Sequence, residues 1–308
     1  MSAPSDPNRG SALAPWFLAL AAISWIQIAF GALVRAKKAG LSCPDWPLCY
    51  GKIVPNLKLD GVVYEYGHRV FALLVSGLFA YLIWQTWRDS ALKARIGKWL
   101  IGGAVLLLVQ IVFGGLTVLI VHTGDGDPRP AAWTVSTHLI LGNSFAALAL
   151  LAAQELTRSE HGRPSALPAA FRAVLAGWTI SLFAQFILGG LVAGTISGMV
   201  CTEFPTCTGG IWFPTFLGPV GLQVIHRLNA YLLVSLALTL LWLCRSHAGL
   251  RGTTRALLAL VLGQATVGAI NVLTLLPPAV TTAHSVFAAL LFSVTALLWH
   301  RALASRTR

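Results

Sequence analysis

Two kinds of residue in this chain are spaced for chemistry. Four of its five cysteines stand in two loops of equal spacing, LSCPDWPLC with Cys43 and Cys49, and VCTEFPTC with Cys201 and Cys207. Each pair encloses five residues and at least one proline that can bend the loop, so each can close a disulfide or work as a thiol pair that cycles and passes electrons. Cys244 is left over and reads as a packing residue. The second set is four histidines, His68, His138, His226 and His284, each near the start of an apolar segment. Imidazoles facing each other in pairs across a helical bundle suit a bis-histidine haem, whose iron takes one nitrogen from each face. A bare metal fits less well, because no carboxylate or thiolate stands by to complete its shell.

The elements that must carry these residues are membrane helices. Of the 308 residues, 56% are hydrophobic and only 10% charged, against about 25% charged in soluble domains. Eight apolar stretches are long enough to cross a bilayer, near 14–35, 66–87, 97–121, 131–156, 170–193, 217–244, 253–273 and 280–301. The first lacks a small-residue cleavage site and is expected to be retained. A net charge of +12 invites thought of nucleic acid, but the basic residues sit in short loops between spans, where they set orientation. Most of them, Arg88, Lys93, Arg95, Lys98, Arg158, Arg251 and Arg255 included, fall on the side of the termini. Both termini are therefore expected in the cytoplasm and both cysteine loops outside, although Arg35, Lys37 and Lys38 gather on the outer side.

The spans repeat. QIAFGAL from Gln27, QIVFGGL from Gln110, QFILGGL from Gln185 and QATVGAI from Gln264 each precede one of the four histidines, so the chain reads as four helical hairpins. The first and third match at a constant offset of 158: Gln27 with Gln185, Gly31 with Gly189, Cys43 with Cys201, Cys49 with Cys207, His68 with His226 and Arg69 with Arg227. The expected fold is all-α, eight transmembrane helices in two pseudo-symmetric four-helix bundles, 1–160 and 161–308, joined by ELTRSEHGRPSALP. The small pairs after each glutamine read as close helix contacts, and the glutamines as hydrogen-bonding glue. His122, His161, His247 and His300 lie at span ends or in the linker, where solvated or interfacial roles suit them.

One position breaks the repeat. Glu65, three residues before His68 in EYGHR, is replaced by Gln223 in QVIHR. Positions i and i+3 share a helix face, so Glu65 points toward whatever His68 ligates, and proton chemistry belongs to the first site alone. The bland alternative pairs Glu65 with Arg69 at i+4. Arg69 and Arg227 are themselves either haem propionate clamps or interfacial anchors, and Trp46 and Phe204 stand at matched positions to shield a haem edge.

At these residues the chain resembles the haem A synthase family. The resemblance runs through GALVRAKKAGLSCPDWPLCYGKIVP, EYGHR, STHLILGN, HRLNAY and TTAHS in order, and GLSCPDWPLC is its most specific run. RAKKAG departs from the uncharged stretch many relatives carry there. The resemblance implies a multi-pass plasma-membrane oxidoreductase of bacteria. It would convert the C8 methyl of haem O to a formyl group through hydroxylated states, in haem A biosynthesis for cytochrome oxidase. It implies that His68 and His138 surround the substrate haem O with Glu65 essential, and that His226 and His284 ligate a resident haem b. Cys43 and Cys49 resemble a pair tied to activity or electron handling, and Cys201 and Cys207 a disulfide that stabilises the haem b half. Haem O synthase is an expected partner because the substrate is poorly soluble, membrane lipid surrounds the chain, and oligomerisation is open. Two other classes stay in view: a quinone-linked thiol oxidoreductase, which leaves the histidines idle, and a non-enzymatic haem carrier or cytochrome b, which leaves the Glu65 and Gln223 difference idle.

Overall fold

Each apolar segment forms one helix of 26 to 30 residues. At 1.5 Å per residue every one exceeds a hydrocarbon core of roughly 30 Å. The structure, a computed structural model, describes residues 9–123, 128–158 and 167–304. The helices are α1 (Arg9–Ala36), α2 (Val62–Trp87), α3 (Ser90–Leu119), α4 (Ala132–Thr157), α5 (Ala169–Gly194), α6 (Gly218–Leu243), α7 (Ala248–Leu273) and α8 (Pro278–Ala304). All eight are long and apolar enough to span a membrane.

Boundaries move from expectation where charge extends a helix past its apolar part. α3 begins at Ser90, not 97, because Asp89 caps it, its carboxylate accepting from the amides of Ala91 and Leu92 and satisfying free N–H groups of the first turn. Lys93, Arg95 and Lys98 thus stand on helix. α7 likewise begins at Ala248 and takes Arg251 and Arg255 into its first turns. An antiparallel pair of two-residue strands, β1 (Val121–His122) and β2 (Arg129–Pro130), joins α3 to α4 and holds His122 opposite Arg129.

Two hydrophobic clusters form. One gathers Phe17, Leu20, Phe79, Leu82, Ile96, Leu100 and Phe145 from α1 to α4. The other gathers Phe171, Leu175, Trp178, Leu233, Leu240, Leu257 and Leu298, mainly from α5 to α8. Between them α4 packs on α5 and α8, and α1 on α8. Small residues allow the closest approach: a Cβ on Gly190 would lie 2.2 Å from Ser136 Oγ, and one on Gly194 2.6 Å from Ala132 Cα. Close packing and interhelical hydrogen bonds are what hold helices together in lipid. Trp25 Nε1 donates to Ser293 Oγ across the same seam, at 3.1 Å.

Alternation of the helices puts both cysteine loops, α1 to α2 and α5 to α6, on one face. The described ends of α1 and α8 nearest the termini lie on the other.

Candidate functional site

Every histidine of the repeat meets the glutamine of its own hairpin. The amide Nε2 of Gln27 lies 3.3 Å from His68 Nε2, that of Gln110 3.2 Å from His138, that of Gln185 3.5 Å from His226 and that of Gln264 3.1 Å from His284. An amide nitrogen only donates, so each imidazole offers a lone pair at Nε2. For His138 the tautomer is closed from both ends, because Nδ1 donates to the Gln110 carbonyl at 3.1 Å. The glutamines hydrogen-bond across helices, as the sequence suggests, and their partner is the histidine of the same hairpin.

The glycine four residues after each glutamine completes the arrangement. A Cβ would lie 2.9 Å from His68 Cε1 at Gly31, 3.1 Å from His138 Cε1 at Gly114, 3.3 Å from His226 Cε1 at Gly189 and 3.0 Å from His284 Cε1 at Gly268. The first small residue of each pair is therefore a seat for an imidazole. The sequence pattern suggests helix contact instead, and that role falls to the second small residue at Gly190. At Gly115 the second position receives Trp46, whose ring would lie 2.9 Å from an added Cβ.

The four rings fall into two neighbouring pairs, each within electrostatic reach: His68 with His138, and His226 with His284. Nδ1 of His68, His226 and His284 is buried without a hydrogen-bond partner. Such nitrogens are costly unless something engages them. Among the described residues no group of three or more His, Cys, Asp or Glu could hold a bare metal ion. Paired imidazoles with their lone pairs on Nε2, walled by apolar helices, fit haem.

Both cysteine pairs are disulfides, Cys43–Cys49 and Cys201–Cys207, and Cys244 is buried and free. The two loops are built alike. Cis prolines follow Trp46 and Phe204, and a carboxylate ties each loop's far end. Asp45 accepts from the amides of Tyr50 and Gly51 at 2.6 and 2.8 Å, and Glu203 from those of Gly209 and Gly210 at 2.9 and 3.1 Å. These bonds hold both carboxyls below their ordinary range, led by the Gly51 amide for Asp45 and the Thr206 hydroxyl for Glu203. Asp45 and Glu203 also match at the 158 offset, a signal that would have found them. Trp46 and Phe204 are part-exposed at 36% and 39%. Phe204 lies under the Arg227 guanidinium.

Arg69 and Arg227 turn into these loops. Arg69 donates to the carbonyls of Asp45, Leu48 and Cys43, and Arg227 to those of Glu203, Thr206 and Cys201. Glu65 is buried at 4% exposure. Its Oε1 accepts from Arg69 at 2.6 Å and its Oε2 from the Cys43 amide at 2.7 Å. The corresponding Gln223 is buried too, and its Oε1 has no partner. Arg35, which the sequence presents only as a surface charge, is close enough to His284 in the opposite half for their charges to interact. Among the described residues it has no hydrogen-bond or ion-pair partner.

The remaining histidines separate. His122 is in β1, His247 caps α7 with its Nδ1 3.1 Å from Ser246 Oγ, and His161 lies outside the described residues. His300 departs from the solvated role expected of it. Its side chain is 12% exposed and pairs with Glu155 at 2.8 Å.

A family model described as cytochrome oxidase assembly protein, COX15-CtaA, matches residues 14–60 and 57–296. Among curated proteins, one named haem A synthase from Symbiobacterium thermophilum is 31% identical over 265 positions, covering 82% of this chain and 83% of its own. Its namesake from Halalkalibacterium halodurans is 29% identical over 276 positions, covering 85% and 88%. That from Paracoccus denitrificans is 29% identical over 337 aligned positions, covering 93% and 87%.

Proposed function

The chain belongs to the cytochrome oxidase assembly protein family, COX15-CtaA, and we infer from this that it is a haem A synthase. It is an oxidoreductase acting on a methyl group of haem O, in haem A biosynthesis for cytochrome oxidase, and a multi-pass bacterial membrane protein. The observation that carries this reading to residues is the two neighbouring pairs of imidazoles, each ring seated on a glycine and met by a glutamine.

His68 and His138, in the half 1–160, flank the substrate haem O. His226 and His284, in the half 161–308, hold a resident haem b, which supplies one-electron redox chemistry when bound. Nε2 would be the ligand atom at all four, and the glutamine amide that now donates to its lone pair would have to give way to a ligated iron. Converting a methyl to a formyl group replaces two C–H bonds by one C=O bond, so protons must leave the carbon. We assign the acceptance of one to the Glu65 carboxylate, three residues before His68. It hangs between the Cys43 amide and the Arg69 guanidinium, and releasing either bond frees an oxygen. Arg69 and Arg227 stiffen the disulfide loops and would lend positive charge to haem propionates. Basic residues on the face of the termini put both termini in the cytoplasm and both loops outside. Haem O synthase is the fitting donor partner for so insoluble a substrate.

The test is extraction and chromatography of haems from cells that make haem O, with and without this protein. Haem A is expected with the wild type, and it disappears in Glu65→Gln while haem content persists. His226→Leu loses the resident haem. Recovery of haem A at wild-type level from Glu65→Gln would remove Glu65 from the chemistry. Recovery of unmodified haems alone from the fully loaded wild type would make the protein a carrier or cytochrome.

A further inference from the structure

A cleft of about 810 Å³ opens away from the four histidines of the repeat, where α3 and α4 of one half meet α5 and α8 of the other. Its walls are apolar, with Leu151, Leu182, Phe183, Phe292 and Leu303 prominent. Its mouth, at the face of the termini, is basic. Arg95 and Lys98 come from the first turns of α3 and Arg158 from just past α4.

The cleft's depth matches one leaflet. From Phe292 to Leu303 along α8 is about 16 Å at 1.5 Å per residue, close to half of a roughly 30 Å hydrocarbon core. Its polar groups inside are satisfied, since Trp299 Nε1 donates to Thr179 Oγ1 at 2.7 Å. The single carboxylate at the mouth is also taken. Glu155 is held by His300 at 2.8 Å and by Arg158 at 3.6 Å. Arg95 spends one donor on the Arg158 carbonyl at 2.8 Å, and Lys98, exposed, has no hydrogen-bond or ion-pair partner among the described residues. Three exposed cations thus surround one acid that is already paired.

We propose that this cleft binds one anionic phospholipid from the leaflet on the face of the termini. An acyl chain lies between the two halves and the phosphate sits on Arg95, Lys98 and Arg158. A basic pocket between membrane helices over an apolar slot is the chemistry that recognises an anionic headgroup. A soluble anion has no use for the slot, and a quinone or bare isoprenoid tail brings no charge for the mouth. The bound chain fills the cleft where α3 and α4 meet α5 and α8. Which leaflet this is in the cell rests on the orientation proposed above. The site itself does not.

The experiment is native mass spectrometry of the purified full chain, delipidated and then titrated with phosphatidylglycerol or with phosphatidylcholine of the same acyl chains. One phosphatidylglycerol per chain is expected to be retained in preference to phosphatidylcholine. Lys98→Gln should weaken retention about fivefold, and Arg95→Gln with Lys98→Gln on the order of 25-fold. Ala296→Trp, which fills the slot and leaves the mouth intact, should abolish retention of both lipids. Elution and thermal unfolding in detergent, unchanged in Lys98→Gln, show that the fold is kept. Equal retention of the two lipids, retention indifferent to the double variant, or a quinone or isoprenoid found in place of phospholipid would each overturn the proposal. Leaflet-selective labelling in vesicles separates the two inferences: lipid bound from the outer leaflet would overturn the orientation and leave the site standing.

Discussion

Replacing Gly31 by alanine tests the imidazole seat directly. The new Cβ would lie 2.9 Å from His68 Cε1, half an ångström short of ordinary contact at 3.4 Å. His68 has little room to give way, because Gln27 Nε2 holds both its Nε2 at 3.3 Å and its backbone carbonyl at 3.0 Å, and Phe30 packs edge-on against its ring. Overpacking of this kind costs about 1–3 kcal/mol, which is about 5- to 150-fold in affinity for whatever His68 ligates. Alanine raises helix propensity over glycine, so a loss cannot be blamed on a weakened α1. The assay is haem content by extraction, with the optical spectrum of the purified protein reporting axial ligation. Gly31→Ala should deplete haem O and haem A and leave the haem of the other half in place. Gly268→Ala, at 3.0 Å from His284, should do the reverse, and Gly189→Ala, at 3.3 Å, should be mildest. Gly77→Ala and Gly177→Ala, with nothing within 4 Å of the added carbon, are the controls. A Gly31→Ala protein indistinguishable from Gly77→Ala in haem content and spectrum would refute the seat.

Arg69→Ala should loosen its loop more than Arg227→Ala loosens its own. The first leaves a buried carboxylate without its cation, a loss on the order of 3–5 kcal/mol, and the second forfeits bonds to carbonyls and a contact with the Phe204 ring but strands no charge. Rates of disulfide reduction by a membrane-impermeant thiol, one loop against the other, give the comparison. Maleimide should label no cysteine in the native protein, one after denaturation and all five after denaturation with reduction, because Cys244 is buried and the other four are paired. Acid should release the loops by a definite rule. The carboxyls of Asp45 and Glu203 are held below their ordinary values of 3.8 and 4.5, so their contribution is complete above about pH 4.5 and is lost as pH falls through the lower folded values. Hydrogen exchange at Gly51, Gly209 and Gly210, corrected for intrinsic rate, should be flat above that pH and rise below it.

The spans were legible because twenty apolar residues have few other uses, and the histidines because four of them keep one register. What the glycines do was not legible in the same way. GlyGly and GlyAla read alike whether a helix or an imidazole is the neighbour, and only the fixed spacing from glutamine hinted that the first of the pair serves the ring. Arg69 and Arg227 could be placed at the interface, yet their partners are mostly backbone carbonyls, which every sequence has and none advertises. His300 was hidden by distance, since Glu155 stands 145 residues away and the pair forms only when the two halves meet.

The repeat also says what Glu65 is not needed for. Both loops carry a disulfide, a cis proline after an aromatic residue, a carboxylate that ties the far end, and an arginine that donates to three carbonyls. The second loop achieves all of this above Gln223, whose oxygen bonds to nothing. Bracing therefore does not require an acid at this position. Burying a carboxylate is costly even when it is paired, and the first half bears that cost at the one site where the proposed reaction must take protons from carbon. Arg69 and the Cys43 amide each donate to one oxygen of Glu65, the contacts a carboxylate accepts. Its bond to Cys43 ties the first loop to α2, and its bond to Arg69, on the same helix, steadies the guanidinium that donates to three carbonyls of that loop, so protonating Glu65 would weaken both. If Glu65 is the proton acceptor proposed above, chemistry and loop meet at one side chain in the first half, and Gln223 leaves them separate in the second.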